Sequence, residues 1–127
     1  MTTEERKALV FPYLGQTVDV RIDRPVGYRH KKHGIELTYE VNYGFLPGVL
    51  GGDGEELDVY VLGPTEPIER FTGRVIGIVF RRDDEEDKLI AAPDGVSYTP
   101  ERMAEMIRFA ERYYDSYIVT EPAKRPF

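Results

Sequence analysis

Residues 53–62 read Asp-Gly-Glu-Glu-Leu-Asp-Val-Tyr-Val-Leu, and Gly63-Pro64 follow at once. Leu57 to Leu62 is the strongest strand core in the chain, rich in residues that suit a pleated, half-buried surface, and Gly63-Pro64 stops it. Four carboxylates, Asp53, Glu55, Glu56 and Asp58, crowd into the six residues that lead into it. Held together at a strand end, such groups repel one another and their pKa values rise. A hard divalent cation relieves that repulsion, and oxygen ligands are what Mg²⁺ and Ca²⁺ prefer. A solvated acidic turn is the plainer reading of the same residues. A calcium loop of the EF-hand kind is excluded, because Leu57, Asp58 and Pro64 stand where that loop needs an oxygen ligand, Gly and Glu.

Outward from this run, Thr17 to Ile22 alternates apolar and polar residues strictly, the period of a half-buried strand. Ile35 to Val41, Gly73 to Phe80 and Lys88 to Ala92 read as further strands, the last ended by Pro93. Five or six short strands with brief turns predict a closed or sandwiched sheet, not alternating βαβ units. The run Asn42-Tyr43-Gly44-Phe45-Leu46-Pro47-Gly48 is too rich in Gly and Pro for a regular element. Thr2 or Thr3 caps a short helix to about Leu9, interrupted by Pro12 and Gly15. Near the other end Thr99 is an N-cap, Pro100 takes the first helical position and Glu101 suits the positive helix end. Met103, Met106, Ile107, Ala110, Tyr113, Tyr114 and Tyr117 recur at helical spacing, which predicts a helix over 99–117 with one face on the sheet. The tail, 121–127, is expected to fray.

The chain of 127 residues is long enough for one domain with a real core. Its net charge of −6 argues against general nucleic-acid binding, which relies on Lys and Arg. No apolar run approaches a membrane span, and the first residues lack a signal peptide's apolar stretch. The absence of cysteine excludes disulfides and thiolate zinc sites, and a cytoplasmic setting is expected.

Two more clusters carry candidate chemistry. The acidic run Asp83 to Asp87 joins two predicted strands and leads straight into Lys88, a combination able to hold metal and phosphate at one sheet edge; a solvated loop is the alternative. Arg29, Lys31 and Lys32, flanked by His30 and His33, form a basic hairpin tip that either grips an anion or keeps the edge soluble. The histidines lack the partner ligands of a zinc site. Tyr43, Tyr113 and Tyr114 read as core, unless a hydroxyl reaches a cleft and donates to a phosphate oxygen.

Taken together, these residues resemble the soluble family I inorganic pyrophosphatases. Tyr39-Glu40-Val41-Asn42-Tyr43-Gly44-Phe45-Leu46-Pro47, followed by Asp53 to Val59, looks like the family's Tyr-Pro-x-Asn-Tyr-Gly-Phe-Ile-Pro and Asp-Gly-Asp-Pro-Leu-Asp-Val stretches. Gly73 to Ile78, the acidic loop, Lys88 and the run to Pro93 are similar to its later motifs. The resemblance covers roughly residues 17 to 117. It implies a mainly β fold with a C-terminal helix: an OB-like, five-stranded closed barrel. The chain would then be a single domain over 1–127, with an N-terminal extension (1–15), the barrel (17–93) and the helix (99–117). It also implies Mg²⁺-dependent hydrolysis of pyrophosphate to two phosphates, with Mn²⁺ as another possible cation, and a homo-oligomer.

On that resemblance Asp53, Asp58, Asp83, Glu86 and Asp23 match metal-binding carboxylates. Glu55 takes the place of the aspartate that contacts the nucleophilic water as general base, and also reaches metal. Tyr43, Lys88 and Tyr113 match phosphate-holding residues, with Arg29, Lys31 and Lys32 as the basic-loop candidates. The departures are Glu55 for Asp, Tyr114 where the family usually carries Lys, and shortened basic and acidic loops. They leave two alternatives: hydrolysis of another small phosphoanhydride such as a nucleotide, or a non-catalytic module that binds metal-phosphate.

Overall fold

Strict alternation sends every second side chain of a strand to one face, and a sheet closed on itself buries one face inside and offers the other to a covering element. The protein, a computed structural model that describes residues 1–121, is built this way; the expected frayed tail lies, but for Glu121, outside the described residues. The strands are β1 (Thr17–Arg24), β2 (Arg29–Lys32), β3 (Ile35–Thr38), β4 (Asn42–Leu50), β5 (Glu56–Val61), β6 (Arg70–Arg81), β7 (Lys88–Ala92) and β8 (Ser116–Val119), with helices α1 (Thr3–Val10) and α2 (Pro100–Glu111). They pair in the order β1-β4-β5-β7-β6, and β6 returns to β1, which closes a five-stranded barrel. Only β5 and β7 run parallel; the other ring pairs are antiparallel. The barrel interior holds Val18, Val20, Ile22, Leu57, Val59, Val61, Val75, Ile78 and Leu89, all buried. The outer face carries Tyr43, Tyr60, Leu62, Val79 and Ile90, covered by Met103, Ile107, Phe109 and Ala110 of α2. No helix among the described residues is long and apolar enough to cross a membrane.

Several expectations change here. Asn42–Leu50 is a strand, not an irregular run. The ladder with β5 lapses between Phe45 and Leu50, and Pro47, which has no N–H to give, sits in that lapse. Gly44 allows β1 to come close, since a Cβ there would run into the Arg21 carbonyl oxygen and stand 2.9 Å from Ile22 Cα. The basic loop is itself a strand, β2, paired with β3 through a two-residue turn whose His33 and Gly34 both have positive φ. The strand expected over 35–41 stops at Thr38 and belongs to this separate hairpin.

The C-terminal helix ends at Glu111 rather than 117. The chain then turns, with Tyr114 N–H donating to the Glu111 carbonyl, and adds β8 to the end of β6 that β1 leaves free. Tyr117 therefore packs on Phe80 from a strand, and Tyr113 stands exposed. Glu111 fastens α2 to the barrel. Its carboxylate accepts Arg81 Nε and Nη2 at 3.0 and 2.7 Å and the Tyr60 hydroxyl at 2.5 Å, all buried. Burial pushes the Glu111 carboxyl up, but the Arg81 guanidinium more than reverses this and leaves its pKa below the ordinary value. The N-terminal extension is also integral: Val10 joins the barrel core and Arg6 Nη2 pairs with buried Asp87 at 2.6 Å.

Gly44→Ala forces β1 and β4 apart and lowers stability by at least about 3 kcal/mol in urea denaturation, since overpacking against backbone has no side-chain escape; an unchanged midpoint would contradict the closure described. Glu111→Gln costs about 3–5 kcal/mol at pH 7, as expected for a broken buried pair. Because the folded pKa of Glu111 is depressed, its contribution is complete above the unfolded value of about 4.3 and fades as pH falls below it. The wild-type and Glu111→Gln midpoints are therefore expected to converge in acid, and a constant gap down to about pH 3 would sink the assignment.

Candidate active site

The parallel register of β5 and β7 sets Asp58 directly beside Lys88. Both lie on the outer face, because Leu57, Val59 and Leu89 take the inner one. Lys88 Nζ donates to Asp58 Oδ2 at 3.0 Å and to the Tyr43 hydroxyl at 2.7 Å, and stands 3.6 Å from Glu86 Oε2. Tyr43 reaches this point from β4, one strand further round the barrel. Burial, with the Asp58 charge second, pushes the Tyr43 phenol well above the usual tyrosine range, so it stays protonated. Its oxygen accepts from Lys88, and its own proton faces the Asp58 carboxylate.

These residues line a cleft of about 110 Å³ with Arg24, His30, Lys32, Tyr39, Arg81, Glu86 and Tyr114. Three larger hollows, about 710 Å³ beside β1, about 530 Å³ against α2 and about 200 Å³ between α1 and β6, do not include Lys88. The cleft is small, cation-rich and walled by aromatics. Arg81 forms part of its wall, with its guanidinium 3.5 Å from the Tyr114 ring centroid and Nη1 on Glu86 at 2.9 Å and Asp84 at 3.2 Å.

The sequence candidates fall into two groups. Asp58, Tyr43, Lys88, Glu86 and Lys32 line the cleft together. Asp23 lies close enough for the Asp58 charge to reach it: burial chiefly, and Asp58 next among the raising influences, lift its carboxyl above the ordinary value. Asp53 and Glu55 are exposed in the turn before β5, where Asp53 Oδ1 accepts the Glu55 N–H at 3.0 Å. Asp83 accepts the Asp115 N–H at 3.1 Å. Arg29 and Lys31 alternate with His30 and Lys32 along β2, and only the latter pair faces the cleft. Exposed Tyr113 takes its hydroxyl bond from Arg112 instead, and Tyr114 is the tyrosine that lines the wall. The acidic run is no loose solvated loop, since Asp84, Glu86 and Asp87 are each tied to an arginine.

Arg24, Arg81 and Glu111 had no signal in the motifs. Arg24 continues the alternation that carries Val18, Val20 and Ile22 inward, yet it emerges on the outer face with Tyr39 and Tyr43. A β-bulge explains this: Ile22 faces Gly44 and Arg24 faces Tyr43, so two steps on β1 match one on β4.

Among the described residues no group of three carboxylates or imidazoles is gathered into a metal cage. Mg²⁺ seldom needs one, being held commonly by one or two carboxylates, waters and substrate phosphates. Asp23 and Asp58, hard oxygen donors with mutual repulsion to relieve, fit that form.

The sequence profile described as inorganic pyrophosphatase matches residues 18–123. The chain is 34% identical over 112 residues to a protein named soluble inorganic pyrophosphatase 2 from Chlamydomonas reinhardtii, covering 70% of this chain and 58% of that one. It is also 34% identical over 103 residues to the inorganic pyrophosphatase of Aquifex pyrophilus, covering 69% and 56%. It thus spans little more than half the length of these two relatives. The crystal structure of inorganic pyrophosphatase from Ehrlichia chaffeensis superimposes with a TM-score of 0.62 at 18% identity, over 84% of this chain and 87% of that one, a likeness of fold. With a profile match over most of its length and the closed barrel that goes with it, the chain belongs to the family I inorganic pyrophosphatases.

Proposed function

We propose that this chain hydrolyses inorganic pyrophosphate to two phosphates by attack of water, with Mg²⁺ as the cation. The observation that carries the reading is the Lys88–Tyr43–Asp58 constellation at a small cationic cleft, in a chain of this family. A cleft of about 110 Å³ is far below the roughly 300 Å³ at which sites for drug-sized ligands begin, which favours an inorganic anion over a nucleotide.

Lys88 brings a fixed positive charge to the phosphoryl oxygens, where charge shifts as the anhydride bond breaks. Asp58 and Tyr43 hold that ammonium in place, so little reorganisation is left for the moment of reaction. Tyr43, protonated throughout the working range, turns its hydrogen from Asp58 to a phosphoryl oxygen when the anion enters. Arg81, locked by Glu111, keeps Glu86 next to Lys88. Lys32 reaches over the cleft from the hairpin, while Arg29, Lys31 and Tyr113 stand outside its lining. When bound, Mg²⁺ supplies Lewis-acid charge and a more acidic water, with Asp58 and Asp23 as the residues proposed to hold it. Glu86 on the cleft wall, and Asp53 and Asp83 outside it, are the further ligand candidates, and Glu55 is the proposed general base. A cytoplasmic setting and a homo-oligomer go with this reading.

Purified protein is expected to release phosphate from pyrophosphate only with Mg²⁺ present, and Asp58→Asn to lower the rate on the order of a hundredfold. No phosphate release across a range of Mg²⁺ and pH would overturn the proposal. Glu55→Gln tests the base separately. A loss comparable to that of Asp58→Asn assigns it the role, and a change under about twofold returns it to the solvated turn.

A further inference from the structure

Arginine seldom sits half-buried without an acid, because its charge has to be compensated where it stands. Among the described residues, Arg6, Arg81 and Lys88 meet this rule with carboxylates inside 4.0 Å. Arg24 does not: it is half-buried, and no carboxylate of the described residues lies within that distance of its guanidinium. Among the described residues its one hydrogen bond runs from Nη1 to the neutral Tyr39 hydroxyl at 2.6 Å. Four of its five N–H donors are left without a partner among the described residues. The guanidinium carbon lies 5.5 Å from the ring centroids of both Tyr39 and Tyr43, which fixes its place without neutralising it. Tyr43 is also the ring that Lys88 binds, so the two cations share one aromatic support on the cleft wall.

The bulge in β1 is what brings it there. Unbulged alternation would carry Arg24 toward the barrel interior with Ile22, and the extra residue turns it to the cleft instead. Bulges recur beside functional sites for this reason, since they re-aim a side chain at the expense of one rung of the ladder.

We propose that Arg24 binds a phosphoryl group of the pyrophosphate anion alongside Lys88, with the planar guanidinium fork, and not its charge alone, setting the affinity. The inference rests on the reading of this cleft as a pyrophosphate site. A fork of parallel N–H groups matches two phosphoryl oxygens in a way that a lysine ammonium does not.

The test is calorimetric binding of inorganic pyrophosphate, with Mg²⁺ present and turnover suppressed by cold and short contact, to wild type, Arg24→Met and Arg24→Lys. Arg102→Met, on the exposed face of α2, serves as control. Arg24→Met is expected to weaken binding about ten- to a hundredfold, the range of a lost charge-assisted contact. Arg24→Lys keeps the charge and is expected to recover less than half of that loss on a logarithmic scale. Thermal melts of each variant separate lost binding from lost fold, and Arg24→Lys, which keeps both charge and stem, serves if Arg24→Met unfolds. Pyrophosphate affinity within twofold of wild type in a folded Arg24 variant overturns the inference, and phosphate release lost in Asp58→Asn would then still stand for the hydrolase. Arg24-dependent binding by a wild type that releases no phosphate keeps the inference and removes the hydrolase. Absence of pyrophosphate binding by wild type removes both.

Discussion

A buried ammonium has to be compensated where it stands, and the arrangement of β4, β5 and β7 does this for Lys88. Its side chain is only 4% exposed, a position that would cost several kcal/mol for a charge without partners. The parallel pairing of β5 with β7 delivers Asp58, and β4 delivers Tyr43 from the next strand. A one-residue slip in either pairing would turn those side chains to the opposite face and leave the charge alone among apolar neighbours. Strand register and site chemistry are therefore one constraint.

The same rule orders the rest of the cleft. Arg81 is compensated by Glu111 from α2 and by Glu86 and Asp84 from the loop before β7, so the helix, the loop and β6 meet at one guanidinium. Asp87 is compensated in turn by Arg6 from the N-terminal helix. Three of the loop's five carboxylates, Asp84, Glu86 and Asp87, are thus paired with arginines, and a chain with a net charge of −6 still presents a cleft rich in cations. Net charge governs long-range behaviour, while the sign of a cleft depends on which charges are already paired.

Strands with a clean period were legible before the structure. Leu57 to Leu62, Gly73 to Phe80 and Lys88 to Ala92 alternate or run apolar between breakers, and all three are ring strands. Asn42–Leu50 was hidden because Gly44 and Pro47 look like breakers in sequence, whereas one permits a close approach and the other occupies a lapse in the ladder. The end of α2 was hidden because Tyr113, Tyr114 and Tyr117 extend the helical spacing by coincidence, and what stops the helix is the pairing of β8 with a free stretch of β6. The residues of the proposed site that meet at Lys88, Tyr43 and Asp58, stand in motifs legible in the sequence. Arg24 was not legible, since a bulge is invisible to alternation, and Arg81 reads in sequence as an ordinary polar strand end. Residues whose role comes from register and pairing surface only when the strands are laid side by side.

Pyrophosphate is proposed to sit on the Lys88–Tyr43–Asp58 constellation. A crystal structure with Mg²⁺ and imidodiphosphate, whose bridging nitrogen resists hydrolysis, tests it most directly. Phosphoryl oxygens are expected within hydrogen-bonding distance, about 2.7–3.2 Å, of Lys88 Nζ and the Tyr43 hydroxyl. An imidodiphosphate bound elsewhere on the barrel, with Lys88 still closed on Asp58 and Tyr43, would contradict it.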